Sequence, residues 1–277
     1  MMRHNSFAAF ILTNRRPKKV ITYKALIKGG YTGKIYFIVD NEDPTIGEYI
    51  SEFGADRVII FDKKAIAQKF DAADNFNDRR CIVYARNACF EIAEKLQIRY
   101  FIQLDDDYTD FRYKFIPKDG QIIYKDKIIK KNLDCIFDNL LDYYISIPAL
   151  TLAIAQGGDF IGGSNGHFAE MIMTKRKAMN TFICSTDRPF KFLGRINEDV
   201  NTYFLLGSRG NLFLTLNNVA INQLTTQTNS GGMTELYIDS GTYIKSFYTV
   251  IFCPSSVKIG LVGAVNPRLH HHIDWCR

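Results

Sequence analysis

The N-terminal part of the chain alternates apolar, β-branched runs with segments of helical spacing, and each run stops at a polar or acidic cluster. Phe7 to Leu12 ends in Thr13-Asn14-Arg15-Arg16-Pro17, and Val20 to Lys28 then has helical spacing before Gly29-Gly30. Lys34 to Val39 ends at Asp40, the helix-like Ile46 to Phe53 closes at Gly54, and Arg57 to Phe61 reads as a third strand. Cys81 to Leu96 repeats at helical period, and Tyr100 to Leu104 runs directly into Asp105-Asp106-Asp107. Strands separated by helices of this length imply an α/β fold with a mostly parallel central sheet, flanked by helices and connected by right-handed crossovers. Ligands of such sheets sit outside the carboxyl ends of the strands, where these clusters fall.

Composition narrows the class. With 277 residues and 47% hydrophobic side chains the chain has enough apolar surface for a sizeable core, which rules out disorder. No apolar run approaches the roughly 20 residues of a membrane span, and Phe7 to Leu12 is too short for a signal-peptide core, so no membrane association is expected. The six cysteines, Cys81, Cys89, Cys135, Cys184, Cys253 and Cys276, form no CxxC pair. They read as reduced, buried thiols of a cytoplasmic protein. The net charge of +6 favours an anionic substrate or partner. No repeat or low-complexity linker divides the chain, which gives one domain over 1–277 with an elaborated second half.

That second half is less regular. Phe111 to Lys131 is rich in lysine and tyrosine, with Asp119-Gly120 as a hairpin turn; Asn132 to Tyr144 has a helical pattern. Gln156 to His167 is dense in glycine, Ala169 to Thr174 and Leu212 to Ile221 read as strands, and Val200 to Leu206 as a helix after Asn197-Glu198-Asp199.

Three consecutive carboxylates at the end of an apolar strand repel one another and raise each other's pKa unless a cation compensates. Mg2+ or Mn2+ is a hard ion that takes one or two carboxylates and leaves positions for phosphate oxygens. The Asp105 to Asp107 strand end is therefore a candidate metal-diphosphate site; a solvated acidic turn is the alternative.

The order Thr13-Asn14-Arg15-Arg16-Pro17, Asp40, Tyr84-Ala85-Arg86-Asn87, Leu104-Asp105-Asp106-Asp107 and Asn197-Glu198-Asp199 resembles the GT-A (Rossmann-like) class of nucleotide-sugar-dependent glycosyltransferases. Within that class the chain looks most like the bacteriophage enzymes found with TET/JBP-type base hydroxylases, relatives of the base J glucosyltransferase, which glycosylate hydroxymethylated DNA pyrimidines such as hydroxymethylcytosine. The resemblance implies a nucleotide-binding half over 1–110 and an acceptor-binding half over 111–277. It also implies a UDP-sugar donor, Mn2+ or Mg2+, and DNA as partner, in the host cytoplasm if the chain is phage-encoded.

Roles follow by position. Asp107 with Asp105 would hold the metal, Asp106 would face the ribose or donor sugar, and Asp40 would hydrogen-bond the nucleotide base. Thr13, Asn14, Arg15 and Arg86 would line the donor site, with ribose or phosphate contacts from Thr13, Arg15 and Arg86; for Arg86 a helix-surface ion pair with Glu91 or Asp110 is the alternative. Asp199 would be the general base of an inverting transfer, with Glu198 as second choice, although Asn197-Glu198-Asp199 also has the composition of a simple helix start. The run His270-His271-His272 offers a third metal ligand, His272 or His270, or else merely a strand with alternating faces.

For the acceptor, Arg112-Tyr113-Lys114-Phe115, Tyr124-Lys125 and Lys127 to Lys131 interleave basic and aromatic residues in a way suited to phosphates and stacked bases. The loops with Gly162, Gly163, Asn165 and His167 and with Thr225 to Met233 are further candidates for the sugar or acceptor side. Three rival functions stand: the same chemistry on a glycan or small molecule, a sugar-phosphate nucleotidyltransferase, and a non-enzymatic basic DNA-binding module. The absence of glycine from Thr13 to Pro17 argues against the second, and the lack of zinc-finger spacing or a basic recognition helix against the third.

Overall fold

The computed structural model describes residues 2–74, 77–115, 125–156, 172–174, 180–224, 243–262 and 267–274. Asp119-Gly120, Tyr124, the glycine loop of Gly162 to His167 and the Thr225 to Met233 loop lie outside these residues.

The expected alternation is present. Strand β1 (Phe7–Leu12) leads to α1 (Ile21–Gly29), β2 (Lys34–Asp40), α2 (Ile46–Phe53), β3 (Val58–Phe61), α3 (Lys63–Ala67), α4 (Val83–Lys95) and β4 (Tyr100–Asp105). All six residues of β1 are buried because the strand has a layer on each face. Phe7, Ala9 and Ile11 pack with Leu26 of α1 and Tyr49 and Phe53 of α2, whereas Ala8, Phe10 and Leu12 pack with Ala88, Cys89, Ile92 and Ala93 of α4. A strand covered on both sides reads as an unbroken apolar run, which is why β1 was legible. Helix α1 stops at Gly30, whose φ of +81° is open to glycine at little strain and whose N–H caps the Ile27 carbonyl.

After β4 the chain adds β5 (Tyr108–Phe115), β6 (Lys125–Ile128), α5 (Leu133–Ser146), β7 (Ala149–Gln156), β8 (Ile172–Met173), β9 (Phe182–Ser185), α6 (Glu198–Gly207) and β10 (Leu212–Gln223). Then come α7 (Ile244–Phe252), β11 (Val257–Val262) and β12 (Arg268–Ile273). The main sheet has the order β3-β2-β1-β4-β9-β7-β10-β5-β6, with β8 paired to β10; β11 and β12 form a separate hairpin. Strands β3, β2, β1 and β4 are parallel throughout, and β7 is parallel to β10. Strand β9 runs antiparallel between β4 and β7, and β5 and β6 are antiparallel additions at the far edge. Irregular register between Leu216 and Ala220 lets the long β10 meet β8 and then β5 along the same edge. Among the described residues no helix is long and apolar enough to cross a membrane. Of the described cysteines, all free, Cys89, Cys184 and Cys253 are buried as expected, but Cys135 is exposed on α5 and Cys81 half-buried.

Candidate active site

Strand β1 lies between β2 and β4, so the strand order reverses at the β1–β4 seam and opens a crevice at their carboxyl ends. The Thr13 to Arg16 loop and the three aspartates meet there. Thr13 Oγ1 donates to Asp106 Oδ2 at 2.7 Å, and Arg16 Nη1 stands 3.3 Å from Asp106 Oδ1. Because the Thr13 proton is committed to Asp106, the Tyr49 hydroxyl, 2.8 Å away, donates to Thr13 while accepting the Arg16 N–H at 2.8 Å. Tyr49 is wholly buried in α2, so one phenol fixes two residues of the loop. Next to them Arg15 adopts a left-handed backbone, φ +55°, with its N–H held by Asp43 Oδ2 at 2.6 Å. Its side chain is exposed, and no described residue pairs with its guanidinium.

The acidic strand end is anchored through its main chain. Ile21 and Thr22 at the start of α1 donate N–H groups to the Asp106 carbonyl at 2.8 and 3.2 Å, Thr22 Oγ1 donates to the Asp105 carbonyl at 2.5 Å, and Leu224 N–H reaches the Asp107 carbonyl at 3.2 Å. The side chains diverge from this fixed backbone. Asp106 is 4% exposed, and burial, opposed by Arg16 and Thr13, pushes its carboxyl up to about 6. Burial followed by the charges of Asp105 and Asp106 pushes Asp107 up to about 7. Asp107 Oδ1 is buried without a hydrogen-bond partner. A buried carboxylate oxygen lacking a donor, beside two further carboxylates, is what a hard divalent cation compensates, so these residues fit Mg2+ or Mn2+. Among the described residues no three His, Cys, Asp or Glu side chains converge as a ready-made metal cage.

Arg86 of α4 joins this strand end to the second acidic cluster. It is 2% exposed, with Nη2 3.1 Å from Asp105 Oδ1 and Nε 3.0 Å from Glu198 Oε1 at the start of α6. Its guanidinium carbon lies 4.9 Å from the Phe182 ring centroid and 5.8 Å from that of Phe192. Burial, with the Asp199 charge adding to it and Arg86 opposing, raises the Glu198 pKa. Asp199 is half-buried and accepts the Val200 N–H at 2.8 Å, and its charge is near enough to help raise the pKa of Asp105. Arg86 thus pairs with one carboxylate of each acidic cluster.

Several expectations change. Arg86 is not a helix-surface residue paired with Glu91 or Asp110: it is buried and pairs with Asp105 and Glu198, while its Nη1 has no hydrogen-bond partner. Asp40 ends β2 as expected, but it is 4% exposed and both its oxygens already accept hydrogen bonds, from Asn14 Nδ2 at 2.8 Å, Lys63 Nζ at 3.2 Å and the Glu42 N–H at 3.1 Å. Asp106 is turned to Thr13 and Arg16, where it supports the loop. His272 is exposed on β12, its ring beside Gly260 of β11, and no described contact joins it to the aspartates, because the hairpin is a separate sheet packed on α7. His270 lies on that same strand. Asp43 falls in the polar cluster Asp40 to Asp43 that follows β2, but nothing local in the sequence marks Tyr49 or Lys63. The last belongs to an Asp62-Lys63-Lys64 cluster that resembles an ordinary solvated loop, and its burial became visible only in three dimensions.

The family model of the TET-associated glycosyltransferases matches residues 7–232. No curated protein matches the chain. Among solved structures, glucosyl-3-phosphoglycerate synthase from Mycobacterium tuberculosis in complex with Mn2+ and UDP-glucose is 9% identical, covering 96% of this chain and 86% of its own, with a TM-score of 0.48. TarS 1-349 of S. aureus in complex with UDP-GlcNAc is 12% identical over 88% of this chain and 66% of its own, with a TM-score of 0.46.

Proposed function

We propose, from the premise that the chain belongs to the TET-associated glycosyltransferase family, that it transfers a sugar from a UDP-sugar to the hydroxyl of a 5-hydroxymethylpyrimidine in DNA. The observation that supports the reading is the buried Arg86, which pairs with both the strand-end Asp105 and Glu198 at the start of α6. Residues 1–110 form the donor half and 111–277 the acceptor half of one catalytic domain acting in the cytoplasm.

On the donor side Arg15, exposed and unpaired among the described residues, meets the diphosphate, with Thr13 and Asn14 beside the nucleoside. Asp107 and Asp105 would hold Mn2+ or Mg2+. When bound, the cation neutralises charge developing on the departing diphosphate. Asp199 takes the proton of the acceptor hydroxyl as that oxygen attacks the anomeric carbon from the face opposite the leaving group. Glu198, held by Arg86, orients the turn and is the second choice for the base.

The family association with TET-type oxidation and the net charge of +6 support a DNA acceptor. One observation favours a second reading, the same chemistry on a glycan or small molecule: Arg112 is paired with Asp110 and Asp126, and Lys114 with Asp126, which neutralises part of the basic face near β5 and β6.

Incubation with Mn2+, a panel of UDP-sugars and DNA containing 5-hydroxymethylcytosine or 5-hydroxymethyluracil, followed by nucleoside mass spectrometry, tests the proposal. A hexose- or pentose-sized mass gain that vanishes in Asp107→Ala is expected. Transfer to free glycans with none to DNA moves the acceptor to the second reading, and full activity in Asp107→Ala removes the metal assignment.

A further inference from the structure

The family match ends at residue 232, and α7 begins beyond it at Ile244. Yet α7 reaches back to the residues immediately before Glu198 and Asp199. Asn197 has a left-handed backbone, φ +57°, uncommon outside glycine and best tolerated by asparagine. Its Nδ2 donates to the Lys245 carbonyl at 2.7 Å and to Thr249 Oγ1 at 3.1 Å, both on α7.

The preceding residues are fixed from two sides. Arg195 is 2% exposed, with Nε 2.8 Å from Asp74 Oδ2 and Nη2 donating to the Tyr248 hydroxyl of α7 at 3.1 Å; Tyr248 in turn donates to Asp74. Gly194 and Arg195 donate their N–H groups to the Asp71 and Ala72 carbonyls at 2.8 and 2.9 Å. Ile196, wholly buried, packs with Tyr248 and Ile244. A Cβ at Gly194, φ +82°, would stand 2.8 Å from the Phe252 ring of the same helix.

We propose that α7 is a positioning element of the active site: its Lys245 carbonyl, Tyr248 and Thr249 hold Asn197 and Arg195 so that the left-handed turn aims Asp199 at the acceptor hydroxyl. This rests on the reading of Asp199 as the base. A purely structural helix would stabilise the fold without favouring one kinetic step. A positioning helix acts on the chemical step alone, because a base displaced by about 1 Å costs on the order of 100-fold in rate.

Tyr248→Phe removes one hydroxyl, and Asn197→Gly keeps the left-handed backbone accessible while deleting both bonds to α7. In each variant kcat, corrected for the folded fraction, is expected to fall roughly 10- to 100-fold with donor KM within about twofold. In an Asp199→Asn background Tyr248→Phe has little further effect on kcat, because both act through one group. Hydrogen exchange across residues 195–201 speeds up in both single variants. Unchanged kcat, an equal loss in donor KM, full additivity with Asp199→Asn, or unchanged exchange at 195–201 each overturns the proposal. Failure of the wild-type chain to transfer sugar to any acceptor defeats the functional reading instead, and the exchange measurement still decides whether α7 holds the turn.

Discussion

Two acidic clusters meet at Arg86, and they are built in opposite ways. Asp105-Asp106-Asp107 sits at the end of a strand in regular parallel register with β1, its carbonyls held by N–H and hydroxyl groups of α1 and by the Leu224 N–H. Asn197-Glu198-Asp199 sits at a helix start reached through a left-handed residue, and is held by Arg86 of α4 and by groups of α7, while Asp71, Ala72 and Asp74 fix Gly194 and Arg195 just before it. The first is organised by backbone geometry; the second depends on individual side chains brought from distant parts of the sequence. Single substitutions should therefore leave the placement of the strand end largely intact but displace the helix start.

The sharpest cut through this comparison is Arg86→Met, which removes the cation that, among the described residues, pairs with both clusters. Breaking a buried ion pair leaves uncompensated charge, so chemical denaturation should show a loss of about 3–5 kcal/mol. A loss below about 1 kcal/mol would mean that the two clusters are held independently. Asp199→Asn acts on one cluster only: turnover is expected to drop roughly 100-fold or more, as for loss of a general base, with UDP affinity unchanged. If UDP affinity falls in step with turnover, Asp199 belongs to the donor side.

On the donor side Tyr49→Phe leaves the Arg16 N–H and the Thr13 hydroxyl short of a partner, at about 1–3 kcal/mol. Its expected signature is a donor KM about tenfold higher with kcat little changed, read from steady-state kinetics. An effect confined to kcat would detach the loop from donor binding.

The smallest expected effect is on the pH dependence of stability. Asp106 and Asp107 have carboxyls raised to about 6 and about 7 by burial and neighbouring charge, so the folded chain binds more protons there than the unfolded one. Their contribution is present below the ordinary carboxylate range and is lost as pH rises towards about 7. Asp78, Asp126, Asp134 and Asp142 have depressed values and act in the opposite direction, but at lower pH, below the ordinary carboxylate range. Thermal melts without divalent metal should therefore decline from about pH 5 to pH 7.5, and Mn2+ should flatten the decline. Metal-independent melts would show that the strand end holds no cation.

The same contrast decides what the sequence made legible. Strands β1, β2, β3 and β4 announce themselves because burial on both faces or a sharp polar stop writes a local pattern, and the residues proposed for the donor side fall at those stops. The antiparallel β9 is only Phe182–Ser185, and β7 continues the apolar run that begins in α5, so neither carries a period of its own. Arg86 was legible as important but not in its role: its helix position is local, whereas its burial depends on Phe182, Phe192 and Glu198, all far along the chain. Asn197 looked like an ordinary cap residue, and nothing in its neighbourhood signals that α7 reaches it. The three histidines stood out by composition, yet their strand pairs in a hairpin apart from the main sheet.

In the proposed reaction Asp107, with Asp105, binds a divalent cation that in turn holds the donor diphosphate. Calorimetric titration of UDP into the wild-type chain and into Asp107→Ala, with and without Mn2+, tests it most directly. Binding that requires Mn2+ in the wild type and is lost in Asp107→Ala is the expected result; UDP binding of equal strength without metal, or in the variant, contradicts it.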